Sequence, residues 1–201
     1  YDLPHGARTL VDALNWHVEH HPDRPHIRLY SDEGDGEIIT YRELADGAQA
    51  AAAGLQEKGL LPGEAVSIML PTSREYFFTF LGILLAGGIP VPIYPPFRMN
   101  QLEDHLRRHS AILNNCGAKI MVIIPEAKRF AQVLKAQVES MHTLVTFPEL
   151  TSGKSAYTKF TPAMNDIAFL QYTSGSTGNP KGVVLTHANL LANIRALGEV
   201  V

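Results

Sequence analysis

Residues Tyr172-Thr173-Ser174-Gly175-Ser176-Thr177-Gly178-Asn179-Pro180-Lys181-Gly182 lie between two apolar runs and gather small hydroxylated residues, glycines and one cation into a single loop. Glycine lets successive backbone N–H groups point into one concavity, and serine and threonine hydroxyls add donors, so such a loop forms an anion nest suited to phosphate oxygens. Lys181 adds a compact, mobile positive charge. This is not the Walker loop. That template wants a glycine five residues after Gly175, where Pro180 stands, and Ser or Thr after the lysine, where Gly182 stands. The plainer reading is a hairpin tip whose glycines and hydroxyls serve only the turn.

Other candidates for chemistry are few. His17, His20 and His21 have the spacing with which a helix brings ligands to one metal ion, and are read instead as a solvated helix end. Cys116, the one cysteine, cannot form an internal bridge and is read as a small buried hydrophobe. The run Asp32-Glu33-Gly34-Asp35-Gly36 is a hairpin turn and not a dinucleotide fingerprint, since no glycine stands three residues after Gly36. With 17 Lys and Arg against 20 Asp and Glu, the formal charge of -3 supplies no basic footprint for nucleic acid. The lone cysteine and the absence of an opening leader-like stretch point to a reducing cytoplasm.

The elements that must position the loop follow from hydrophobic spacing. Thr9 caps a helix whose Val11, Leu14 and Val18 share a face, and residues 27–30 and 37–41 pair as strands. The alanine-rich stretch 43–58 is helical and closed by Gly59, with a strand at 65–70 after Pro62-Gly63. The longest apolar run, 76–94, is broken by Gly87, Gly88, Pro90 and Pro92, so it reads as the end of a helix over 73–86 and a strand at 89–93, with no transmembrane segment. Helices at 101–115 and 126–139 alternate with strands at 119–124 and 143–147, Leu102, Leu106, His109 and Leu113 lying along one side of the first. Strands alternating with helices in this way predict an α/β fold, a mostly parallel sheet flanked by helices. Residues 152–161 are polar and irregular, a surface connection ahead of the phosphate-loop hairpin at 169–185.

Residues 172–182 resemble the phosphate-binding signature of the adenylate-forming superfamily of acyl-CoA synthetases, luciferases, amino-acid adenylation domains and fatty acyl-AMP ligases. Two further stretches stand upstream in the expected order. Ile39-Thr40-Tyr41-Arg42-Glu43-Leu44 is similar to the early Thr-Tyr-x-Glu-Leu element, and Leu84-Leu85-Ala86-Gly87-Gly88-Ile89-Pro90-Val91-Pro92 to the Ala-Gly-x-x-x-x-Pro element. The helix opened by Thr186-His187-Ala188-Asn189, with Thr186 as its cap, also sits where the family has one. Within the superfamily, Tyr94-Pro95-Pro96 and Leu170-Gln171 look most like fatty acyl-AMP ligases and long-chain acyl-CoA synthetases.

The resemblance implies ATP-dependent activation of a fatty acid to an acyl-adenylate with release of pyrophosphate, then transfer to the thiol of coenzyme A or an acyl carrier protein. It implies that Thr173, Ser174, Gly175, Ser176, Thr177 and Gly178 grip the β- and γ-phosphates of ATP, and that Lys181 acts near the leaving pyrophosphate. Mg2+ is implied as well, with its family carboxylate ligand outside these residues. On this reading residues 1–201 are the N-terminal part of an AMP-binding domain, lacking the later adenine and ribose elements and the C-terminal domain with its lysine. The expectation is then that these residues alone do not complete adenylation, and that surface left uncovered promotes self-association. The contrasting readings are a non-catalytic scaffold with the same fold, whose mark is a damaged loop, and a stand-alone nucleotide-binding protein.

Overall fold

The structure is a computed structural model and describes residues 3–30, 36–95, 102–173 and 180–200. Four short apolar runs become one parallel sheet: β3 (Ala65–Met69), β4 (Ile89–Pro92), β5 (Ile120–Ile123) and β6 (Thr143–Thr146), in the order β4-β3-β5-β6. Their side chains are apolar on both faces because helices cover both. Helices α2 (Tyr41–Glu57) and α3 (Arg74–Leu85) pack Ala48, Ala52 and Ile83 against Val66, Ile68 and Val122 on one face. On the other, α4 (Leu102–Cys116) and α5 (Lys128–Gln137) bring Leu113, Phe130 and Leu134 against Met69, Met121 and Ile123. The expected α/β class is the one observed.

Two antiparallel hairpins flank this core: β1 (Pro25–Leu29) with β2 (Glu37–Thr40), and β7 (Ile167–Thr173) with β8 (Lys181–Thr186). Strand β7 packs against β4 but shares no ladder with it. Proline explains this. The N–H groups of Ile89 and Ile93 donate toward the β3 side, to Glu64 and Ile68 carbonyls, so residues 90 and 92 turn their backbone nitrogens the other way, toward β7. Both are proline, and neither has a proton to give.

Helix starts follow side-chain caps. Thr9 opens α1 (Leu10–His20), Thr40 opens α2 and Thr146 opens α6 (Phe147–Thr151), each with an acid three residues on that reaches back to the cap N–H. Ser73 caps α3, and Thr186 with Asn189 caps α7 (His187–Val200). Gly87 ends α3 in a left-handed conformation, φ +83°, which a β-carbon disfavours.

Several boundaries differ from the sequence expectation. Tyr41 belongs to α2 and not to the preceding strand, because the Thr40–Glu43 box starts the helix two residues early. The strand expected over 143–147 stops at Thr146, where the Thr146–Glu149 box and Pro148 open α6, a helix the spacing did not predict. The helix expected over 126–139 is a short 3-10 turn, Pro125–Ala127, followed by α5. Residues 31–35, with most of the expected turn at 32–36, and the expected helix start at Gln101 lie outside the described residues.

The stretch 152–161 is irregular and mostly exposed, yet strapped to the core. Thr158 exchanges two hydrogen bonds with the Gln56 side chain, and the Tyr157 hydroxyl donates to the Leu85 carbonyl at 3.0 Å. The expected solvated end of α1 holds for His20, which is exposed, while His17 and His21 are half-buried. His17 stacks on Tyr41 at 4.3 Å, His26 stacks on Tyr41 at the same distance, and Trp16 stacks on His20. Burial holds the His17 and His26 imidazoles below their ordinary pKa, and Arg24 adds to it. No group of three or more His, Cys, Asp or Glu among the described residues is arranged to hold a metal.

Candidate functional site

The chain order reverses around β3: β4 is laid on one side of it and β5 on the other. In open parallel sheets the crevice beyond the carboxyl ends of strands at such a switch is where ligands bind. A cleft of about 400 Å³ occupies this place. Its floor is the chain leaving β3 and β4, at Leu70, Pro71 and Ile93, and Tyr76 and Phe77 enter from the first turn of α3. His105, Arg108 and His109 of α4 form the far wall, and Gln171 and Tyr172 of β7 close the near one. Tyr76 and Phe77, which open the apolar run of the helix expected over 73–86, are therefore cleft lining. A second cavity, about 350 Å³, lies at the opposite ends of the strands beside Gly63, Gly87 and His187.

The register of the hairpin brings the two described ends of the loop element together. Thr173 pairs with Lys181 and Tyr172 with Gly182, so the first and last described residues of the phosphate-loop element meet on neighbouring rungs at the open end. Both Thr173 and Lys181 are exposed, and Lys181 has no ion-pair partner among the described residues. A hydroxyl and an uncompensated ammonium on facing strands fit an anion. Ser174, Gly175, Ser176, Thr177 and Gly178 lie outside the described residues, as does Asn179.

Gly182 has a packing reason of its own. A β-carbon there would sit 3.0–3.2 Å from the Tyr172 ring, so the ring lies directly over the glycine. That holds the Tyr172 hydroxyl where it donates to Asn115 Oδ1 at 2.5 Å, tying the hairpin to the end of α4. Burial raises the Tyr172 pKa, which keeps it a neutral donor. On the other wall His109 is 4% exposed, and its Nδ1 has no hydrogen-bond partner. Burial first, then His105 and Arg108, push its pKa down to about 4, so the ring is uncharged at neutral pH. Cys116, half-buried at the end of α4, has its thiol pushed up to about 11 by burial and is not an activated nucleophile.

A hairpin end carrying an exposed hydroxyl and ammonium, beside a crevice at the carboxyl ends of a parallel sheet, is the setting in which α/β folds bind ligands. The profile of the family described as AMP-binding enzyme matches residues 14–200, and the chain belongs to that family. Among curated relatives, the long-chain-fatty-acid–CoA ligase of Bacillus subtilis (strain 168) is 30% identical over 96% of this chain and 39% of its own length. Gramicidin S synthase 2 of Brevibacillus brevis is 30% identical over 96% of this chain and 4% of its own. A solved structure from studies of the fatty acyl-adenylate ligases of E. coli and L. pneumophila superposes with a TM-score of 0.85 at 28% identity, covering 94% of this chain and 34% of that one. The L. pneumophila fatty acyl-adenylate ligase in complex with acyl adenylate and pyrophosphate gives 0.76 at 32% identity, covering 94% and 32%. The chain thus spans about two fifths of the length of the long-chain ligases it matches. Among the described residues no helix is long and apolar enough to cross a membrane.

Proposed function

We propose that the whole protein carrying this chain activates a fatty acid with ATP, forming an acyl-adenylate and pyrophosphate, and passes the acyl group to a thiol of coenzyme A or an acyl carrier protein in the cytoplasm. The observation that carries the reading is the pairing of Thr173 with Lys181 at the open end of a hairpin whose sequence, 172–182, resembles the family's phosphate signature. The relatives named for long-chain acid ligation and acyl-adenylate formation support the substrate class.

The physical difficulty of the reaction is that a carboxylate must approach the α-phosphorus of a polyanion. Preorganised donors and cations reduce that repulsion, and orientation of the two reactants supplies much of the rest. In this chain Thr173, Ser174, Gly175, Ser176, Thr177 and Gly178 hold the β- and γ-phosphates through hydroxyl and amide donors. Lys181 neutralises charge that accumulates on pyrophosphate as the α–β bridge breaks. Tyr76, Phe77 and Ile93 offer an apolar wall to the acid's chain within reach of that hairpin. Mg2+, if bound with the nucleotide, would supply additional charge neutralisation; no group of three or more His, Cys, Asp or Glu among the described residues would hold it.

The test is Lys181→Ala in the whole protein, followed by ATP–pyrophosphate exchange with a long-chain acid. Loss of one preorganised charge contact at a transition state costs on the order of 100- to 1,000-fold in turnover. Exchange at the wild-type rate and ATP affinity overturns the role given to Lys181.

A further inference from the structure

Strand β7 meets β4 across a border with no backbone ladder, so backbone pairing does not fix how far the hairpin reaches along the cleft. Apolar packing holds it there. Leu170 and Tyr172 pack on the cluster shared with α4 and α5, Ala168 belongs to the cluster shared with α2 and α3, and Phe169 meets Phe80 at 5.5 Å between ring centroids. Such contacts are non-directional and tolerate sliding, whereas a hydrogen bond fixes both distance and angle. Among the described residues, one hydrogen bond joins β7 or β8 to the parallel sheet or the helices that cover it: the Tyr172 hydroxyl donates to Asn115 Oδ1 in the last turn of α4.

Both ends of that bond are anchored. Asn114 donates from Nδ2 to the Gln137 carbonyl at 3.2 Å, which pins the end of α4 to the end of α5. The Tyr172 ring rests on the bare backbone of Gly182, and Thr173 and Lys181 stand on the next rung. Resting on the function proposed above, we infer that Asn115 is a positioning residue for adenylation: by holding the Tyr172 hydroxyl it sets where the Thr173–Lys181 rung stands against the polyphosphate of ATP. Asn115 is exposed and lies outside the cleft lining, so its effect reaches the reactants through the hairpin. Released from α4, the hairpin slides on its apolar contacts and carries the Lys181 ammonium away from the place where charge develops on pyrophosphate. The bias is limited to the net worth of one hydrogen bond, about three- to tenfold.

The test is a double-mutant cycle in the whole protein, with Asn115→Ala, Tyr172→Phe and the pair, read by ATP–pyrophosphate exchange with a long-chain acid. Each single variant is expected to lose about three- to tenfold in kcat/KM for ATP, and the pair about as much as the slower single, because both changes remove the same bond. Asn115→Asp, which keeps the acceptor, should recover most of the loss. KM for the acid in Asn115→Ala should stay within about twofold of the wild type, a split that lost stability alone does not produce. Losses that multiply in the pair, wild-type kinetics in both single variants, or an Asn115→Asp variant as slow as Asn115→Ala overturn the inference and leave the proposed adenylation standing. Failure of the wild-type protein to exchange pyrophosphate with any acid overturns the proposed function, and the positioning role falls with it.

Discussion

Helix α2 approaches helix α6 through Gly54, and the closeness of that approach yields a stability prediction whose sign runs against helix propensity. A β-carbon added at Gly54 would fall well inside van der Waals distance of the Leu150 carbonyl oxygen, 2.8 Å from the carbonyl carbon and 3.1 Å from Leu150 Cδ1. The backbone of α6 cannot yield as a flexible side chain does, since it is fixed by the Thr146–Glu149 capping box and by Leu150, which is 1% exposed. Replacing glycine by alanine within a helix normally gains about 0.8–1.0 kcal/mol. Overpacking a filled contact costs about 1–3 kcal/mol, and uncovering part of a Leu side chain adds to it. The expected net effect of Gly54→Ala is a loss of about 1–2 kcal/mol, a fall of roughly 2–8 °C in Tm for a chain of this size. Gly198 in α7 is the control: a β-carbon there meets nothing within 4 Å, so Gly198→Ala should stabilise by up to about 1 kcal/mol. Urea and thermal unfolding of the two variants beside the wild type measure both. A Gly54→Ala variant as stable as the wild type or more so would refute the close approach of α2 and α6.

Three further outcomes follow from the described residues. Because the folded His109 pKa lies near 4 and the unfolded one near 6.5, the unfolded chain binds the extra proton between these values. Stability should therefore fall by about 3 kcal/mol as pH drops from 6.5 to 4, and His109→Leu should flatten that limb of a urea-midpoint profile; identical profiles would count against a buried neutral imidazole. The Cys116 thiol, pushed up to about 11, should react with iodoacetamide at pH 8 about 100-fold more slowly in the folded chain than in urea, and equal labelling by mass spectrometry would contradict its burial. Ile194 and Leu197, 53% and 59% exposed and one turn apart on α7, should drive self-association of the 201-residue chain; sedimentation velocity should show it reduced in Ile194→Lys/Leu197→Lys, and a strictly monomeric wild type would exclude it.

The class of fold was legible because a parallel sheet buried on both faces writes its strands as short unbroken apolar runs, and because glycines such as Gly59 and Gly87 mark where helices stop. Starts were less legible than stops. The signal for α6 was present in Thr146-Phe147-Pro148-Glu149, a threonine followed three residues later by glutamate, but the apolar content of 143–147 read more loudly as strand. The hairpin that carries Thr173 and Lys181 was read correctly as paired strands, with their register supplied by the structure. The cleft was not readable. Tyr76, His109 and Tyr172 are far apart along the chain, the first two obeying the local pattern of a core position and Tyr172 opening the phosphate-loop element; only the meeting of α3, α4 and β7 beyond the strand ends brings them together as lining. His109 was placed on the inner side of its helix by spacing, and nothing in that spacing distinguishes it from Leu106 or Leu113 beside it.

Pro90 and Pro92 turn their protonless nitrogens away from β3, toward the hairpin, and this has an effect on how the molecule meets its own copies. A sheet border with free amide protons recruits further strands, from a neighbour or from a growing fibril, whereas a border stripped of them cannot template that growth. Here β7 already lies over that border, held by packing and not by a ladder, so a neighbouring copy meets the hairpin and not the edge of the parallel sheet.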